Sequence, residues 1–318
     1  MDHLNYILLL VLAAVGYSFS RFIRNYMVDT LFNSKTLPSL IFGTAGTHII
    51  LMILLFALRG FGVFNIPFWS MVMMFIAGLL NTFSQFPSFK AMRIAETVEL
   101  TIFSQVAPIL ALVFGFILLG QSINGQHLLG FVLIMIAAII LVFSEKSKST
   151  QKSKIKTAKY VILSSALFVL SDIVLLAGIG KNYQSFDIFN FIPYFFFFQL
   201  GSFAVGATLF ILKPSWRKPF LKVFFSGRKS SKNFIYLLVN NFSYAAAETL
   251  YKLALITAPA VALLAVVNQV SQLIVTFCLG ITLSIFFPKF GREKLSKHIL
   301  IRHLIAAVFV GMGIVLVS

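Results

Sequence analysis

One cysteine, two tryptophans and nine acidic residues among 318 are what this sequence has least of. A single thiol, Cys278, excludes a disulfide within the chain and any multi-cysteine metal or redox centre. It lies in an apolar run and reads as a small hydrophobe. Charged residues make up only 11% of the chain against 59% hydrophobic ones, and mean hydropathy is +0.96. No soluble packing hides that much apolar surface. No G-x-x-x-x-G-K-[ST], H-E-x-x-H or G-x-S-x-G sequence occurs. The five histidines (His3, His48, His127, His298 and His303) are scattered. No catalytic residue, metal site or cofactor is therefore assigned. Met1 to Tyr6 lack a basic start and a cleavage site, so the first hydrophobic run reads as a retained helix.

What the chain has in abundance is span-length apolar sequence. A hydrocarbon core about 30 Å thick takes about 20 apolar residues as an α-helix. Such segments are expected at about 5–26, 38–58, 67–89, 97–120, 127–144, 159–179, 189–212, 233–256, 259–287 and 299–317. The fold class is thus an all-α polytopic membrane protein with about ten transmembrane helices. Thirty-seven phenylalanines suit lipid-facing and helix-packing surfaces, and the run Phe195–Phe198 reads as lipid-exposed. Net charge is +17, but the basic residues sit in connections between apolar runs. That pattern argues topology, not a nucleic-acid partner. Alternate connections hold 23 of the 26 basic residues, Arg21 and Arg24 among them. Positive-inside then puts that side in the cytoplasm and both termini outside.

The chain divides at a Lys- and Ser-rich stretch, 146–158, into parts 1–145 and 159–318. The parts read as diverged copies. Ser104-Gln105-Val106 stands opposite Asn268-Gln269-Val270, and Asn81-Thr82-Phe83-Ser84 opposite Asn240-Asn241-Phe242-Ser243. Five helices per copy is an odd number, so the second copy enters the membrane upside-down. Two inverted five-helix repeats are expected, with a solute site between them near the midplane.

Three features carry a family resemblance. Pro108 sits in a helix followed by Leu119-Gly120-Gln121-Ser122-Ile123 and then by Gly130 in an apolar run. Gly291-Arg292-Glu293-Lys294-Leu295 precedes a segment with Gly311 and Gly313. Gly16 follows an aliphatic run in the opening segment. With these the chain resembles the drug/metabolite transporter superfamily in its ten-helix EamA-like form. Gln121 stands where that family has Glu, and Gln272 where the second copy has Pro. The resemblance implies both termini in the cytoplasm, against the charge count.

Ionisable groups inside apolar helices cost about 2.5–3.5 kcal/mol on insertion scales, so each needs a reason. Asp172, deep in 159–179, reads either as a cavity carboxylate for a cation or coupling proton, or as an acid bonded to a neighbouring helix. Glu248 and Lys252, one turn apart in 233–256, read as an intrahelical pair that binds a zwitterion or gates, or that merely self-neutralises. Asn268, Gln269, Ser271 and Gln272, echoed by Ser104 and Gln105, form amide-rich patches. Amides both donate and accept, which suits a polar solute and equally suits helix–helix adhesion. His48, Asn240, Asn241 and Gln199 are single polar residues, more often packing bonds than ligands. Glu96 and Glu99 complement a helix N-terminus.

The expected function is a secondary transporter, not an enzyme, moving a small organic solute by alternating access. Its partners would be that solute and membrane lipids, with transport either coupled to protons through Asp172 or Glu248 or driven by the solute gradient alone. By resemblance it exports a metabolite, an amino acid or an amphipathic drug-like compound across the plasma membrane. A flippase or transporter of a lipid-linked substrate is the near alternative, and a membrane-embedded lipid-modifying enzyme the further one.

Overall fold

The computed structural model describes residues 3–31, 40–95, 103–120, 151–180, 188–225, 230–258 and 260–286, with isolated positions near 100, 124–137 and 301–316. Most of the helices expected at 127–144 and 299–317, and all of 146–150, lie outside the described residues. So do the Gln121–Ile123 turn, the Gly291–Leu295 turn, Glu96 and Glu99. The described residues contain no strand. Their continuous helices are α1 (His3–Thr30), α2 (Leu40–Arg59), α3 (Phe68–Met92), α4 (Ala107–Leu119), α5 (Gln151–Ile179), α6 (Ile188–Leu212), α7 (Pro214–Phe225), α8 (Ser230–Thr257) and α9 (Val261–Phe286).

Six of these helical stretches are long and apolar enough to cross a membrane: 6–28, 40–64, 68–92, 155–179, 189–212 and 261–283. α8 has the length, 28 residues, but carries Asn240, Asn241, Glu248 and Lys252, all on a helix packed between its neighbours. α4 is shorter because Pro108 lacks the N–H that would reach the Ser104 carbonyl. Ser104 instead accepts from the Ala107 N–H, closing a 3-10 turn over Ser104–Val106. Gly120 ends α4 with φ +65°, the left-handed cap that glycine adopts without strain.

Four features differ from expectation. α1 continues to Thr30, past the expected end near 26, and Arg21 and Arg24, counted with the first connection, lie well inside the helix. α5 begins at Gln151, inside the Lys/Ser-rich stretch, where Gln and Lys are good helix formers. The connection Lys213–Lys232 contains α7, whose Trp216 packs 6.4 Å from Phe86. The Phe195–Phe198 run is buried at all four positions. It is covered because α6 packs against both α2 and α3.

The core runs between the two parts of the chain. α1 packs on α8 and α9, α3 on α5 and α6, α2 on α6, and α4 on α5 and α9. Small residues allow close approach. A Cβ at Gly78 would overlap the Phe198 carbonyl, and one at Gly201 would overlap the Phe75 carbonyl. Such small-residue crossings suit helices that meet in lipid, where apolar burial alone gives no drive. Large apolar side chains such as Ile53, Leu54 and Ile117 face outward.

Candidate functional site

A cavity of about 150 Å³ lies among α1, α3, α5, α8 and α9. It occupies the half of the bundle where α1 and α3 end and α5 begins, the side of the basic connections. α1 contributes Tyr17, Ser20, Arg21 and Arg24, which recur every three or four residues and so share one helix face. α3 adds Ser84, Gln85 and Ser88, α5 adds Ser164, Ser165 and Phe168, and α8 adds Tyr244. Asn268, Gln269 and Gln272 come from α9, and Ser104 from the 3-10 turn. None of the described lining residues is acidic.

Hydrogen bonds fix this wall. Ser104 donates to Gln269 Oε1 at 3.0 Å, joining the 3-10 turn to α9. Gln105 Nε2 reaches the Gln269 carbonyl at 3.4 Å. Gln272 Nε2 donates to Asn268 Oδ1 at 3.2 Å, while its Oε1 accepts from Arg21 at 3.1 Å. Asn240 Oδ1 accepts from Ser20 Oγ at 2.8 Å and from Arg24 Nε at 3.2 Å. Its own amide donates to Asn241 Oδ1 at 3.0 Å, and Asn241 donates to the Gly43 carbonyl at 2.8 Å. One relay thus ties α1 through α8 to α2.

Beneath the cavity lies a second polar layer of a different kind. Lys252 Nζ donates to Asp172 Oδ1 at 2.5 Å, and the Tyr251 hydroxyl donates to Asp172 Oδ2 at 2.6 Å. Lys252 is fully buried and Asp172 is 1% exposed. The ammonium also sits 4.6 Å from the Phe198 ring centroid and 5.3 Å from that of Phe168, a cation–π enclosure. Beside it, Asn81 Nδ2 donates to Glu248 Oε1 at 2.6 Å. His48 Nδ1 lies 2.5 Å from Gln199 Oε1 and 3.9 Å from Glu248 Oε2. Phe168 and Tyr17 belong to both layers: each lines the cavity, and Tyr17 packs edge-on to Tyr251 at 6.2 Å.

The expected site residues therefore divide. Ser104, Asn268, Gln269 and Gln272 line the cavity, and Gln105 and Asn240 bond to residues that do. Asp172, Glu248, Lys252 and His48 line none of it and form the layer below. The intrahelical Glu248–Lys252 pair is replaced. Lys252 pairs with Asp172 across helices, and Glu248 takes Asn81 and faces His48. A fully desolvated ammonium needs a close carboxylate with further donors, and Asp172 with Tyr251 supplies that geometry. Ser271 is half-buried and outside the lining. Arg21 and Arg24 are the site residues that topology reasoning hid. Their signal was the stripe at positions 17, 20, 21 and 24, polar at helical spacing in an apolar run.

Residues 4–143 match the family model described as the EamA-like transporter family, in the drug/metabolite transporter superfamily. This stretch is EamA-like. It holds α1 to α4, and with them the Pro108 helix and the arginine-bearing face of the cavity. No curated protein matches the chain in sequence. A solved structure titled only "Crystal structure of protein" is similar at TM-score 0.57 and 13% identity, over 96% of each chain. At that identity it shows a shared fold and nothing about a ligand. The six apolar spans and the EamA-like match over residues 4–143 support an integral, multi-pass membrane protein.

Proposed function

We propose that the chain is a secondary transporter that moves a small organic solute across the plasma membrane by alternating access. The observation that carries this is one polar cavity walled by helices from both parts of the chain. Globular interiors avoid such unfilled polar space, and clustered buried polar groups in a membrane bundle mark a solute path. The volume, about 150 Å³, falls below the roughly 300–1,000 Å³ of drug-sized sites. A metabolite or amino acid therefore fits better than an amphipathic drug. Export is the direction the family likeness favours.

The helix pairings support two inverted repeats. Exchange α1 with α5, α2 with α6, α3 with α8 and α4 with α9, and the principal contacts exchange among themselves. α1·α8 becomes α5·α3, α1·α9 becomes α5·α4, and α3·α6 becomes α8·α2. α2·α6 and α4·α9 map onto themselves, as pairs astride a two-fold axis do. Adding the helices expected at 127–144 and 299–317 to the eight that exchange gives ten. In this reading the Asp172–Lys252–Tyr251 cluster is the barrier on the far side of the solute, broken when access alternates. Glu248, whose Oε2 accepts no hydrogen bond, is the coupling-proton candidate, with Asp172 the second.

An apolar recess of about 280 Å³ between α2 and α6, lined by Phe42, Phe203 and Phe210, favours a second reading: transport of a lipid-linked substrate. It ranks lower because it shares no lining residue with the polar cavity and offers a headgroup no polar partner.

The test is flux into vesicles carrying the purified protein, screened over amino acids, small organic acids, sugars and cationic dyes with and without a proton gradient. Protein-dependent, saturable uptake of a soluble compound is expected. Flux of no soluble compound, with scrambling of a lipid-linked probe, would transfer the conclusion to the second reading. Orientation is read from Ser149→Cys in a Cys278→Ser background. The basic side being cytoplasmic, an impermeant thiol reagent leaves intact cells unlabelled.

A further inference from the structure

We propose that the transported solute carries an oxyanion, a carboxylate or phosphate group, that docks on Arg24 and Tyr17. This inference rests on the transporter reading and names the chemistry of the cavity's occupant. Arg24 lines the cavity at 6% exposure, and its Nη2 is buried with no hydrogen-bond partner. Its Nε is held by Asn240 Oδ1, and its guanidinium lies 4.3 Å from the Tyr244 ring centroid and 5.6 Å from that of Phe89. The group is thus oriented, with donor capacity left over.

An arginine keeps its charge, and its fork matches carboxylate and phosphate oxygens. Yet Arg24 makes no ion pair with any described carboxylate. Asp172 is committed to Lys252. Glu248 is committed to Asn81 and, though its field reaches Arg24, forms no ion pair with it. Tyr17, seven residues earlier on the same face, presents a second buried donor without a partner, its hydroxyl. Two residues that line the chamber thus each keep a donor without a partner, one of them cationic, and no acidic side chain stands among the described walls. Arg21, on that face too, adds positive charge beside Gln272. A cationic occupant would be repelled. A neutral one would leave the Arg24 charge buried without a counter-ion. An oxyanion completes the set.

The experiment uses the full chain in phosphatidylcholine vesicles, with labelled succinate and glycerol 3-phosphate as anionic probes and succinamide and erythritol as uncharged ones. Uptake of at least one anion is expected to exceed that of both uncharged probes tenfold or more. Arg24→Gln should cut anion uptake at least tenfold, Arg24→Lys less, and Tyr17→Phe by a few-fold. Uncharged probes carried as well as anions, or anions carried unchanged by Arg24→Gln, would overturn the inference while leaving transport standing. Should Arg24→Gln fail to reach the membrane, the wild-type ratio of anion to uncharged uptake decides alone. Repeating the assay with phosphatidylglycerol separates the sources of the anion. Retained succinate or glycerol 3-phosphate uptake supports a soluble solute, whereas its complete loss assigns Arg24 to a lipid headgroup and overturns the proposal. Absence of flux with every compound in the wider screen would instead remove the transporter reading and this inference with it.

Discussion

The cavity and the layer beneath it use the same kinds of side chain, a few angstroms apart, and end in opposite electrostatic conditions. In the lower layer the charges are closed on themselves: Lys252 meets Asp172, Tyr251 completes that carboxylate, and two phenylalanine rings seal the ammonium. In the cavity, Arg24 is held by an amide and two rings but meets no carboxylate. A satisfied buried pair contributes little net stability yet is expensive to break on one side. An unsatisfied one is tolerated only where something else supplies the missing charge. On this difference rest the proposed barrier and the proposed binding wall.

Breaking the closed layer should have the largest effect. Asp172→Ala strands the Lys252 charge and should cost about 3–5 kcal/mol, seen as a lowered Tm in detergent and lost flux. Asp172→Leu combined with Lys252→Leu should recover the Tm without recovering flux; recovery of both would show the pair to be mere packing. Asp172→Asn should insert normally but abolish or uncouple transport, and uptake unchanged across a pH series would remove Asp172 from the mechanism.

Next comes Glu248→Gln, which weakens a charge-assisted bond from Asn81 worth about 1.5–3 kcal/mol. If Glu248 couples protons, this variant retains exchange of solute but loses its dependence on a proton gradient. On the open layer the changes should be gentler. Gln272→Ala removes a neutral bond to Asn268 of about 0.5–1.5 kcal/mol together with the acceptor of Arg21 beside the cavity, and should raise KM several-fold with a small fall in Tm. Lys218→Ala, on an exposed turn of α7, should alter neither quantity.

Much of the fold was legible because the bilayer sets segment length, and runs such as 68–89 and 189–212 carry no charged residue to mislead. Hydropathy blurs where charge enters a helix. Arg21 and Arg24 look like loop residues to any count that reads cations as topology, so the most cationic face of the cavity went unseen. Asp172 stood out because apolar residues flank it, but its partner lies 80 residues away in the chain. Local spacing therefore paired Lys252 with the wrong acid. The Phe195–Phe198 run misled for a related reason. In a membrane, an apolar residue facing lipid and one facing another helix are chemically the same, and only the crossing of α2 and α3 over α6 decides between them.

The backbone contact of α3 with α6 has a mechanical consequence. Gly78 and Gly201 each abut a carbonyl of the opposite helix, with no intervening side chain to swivel or slide. Ser202 and Thr82 then stitch the same seam, each to a carbonyl across it. Such a joint shears poorly, so these two helices form a stiff keel, and any rocking of the protein is borne by the looser crossings around it.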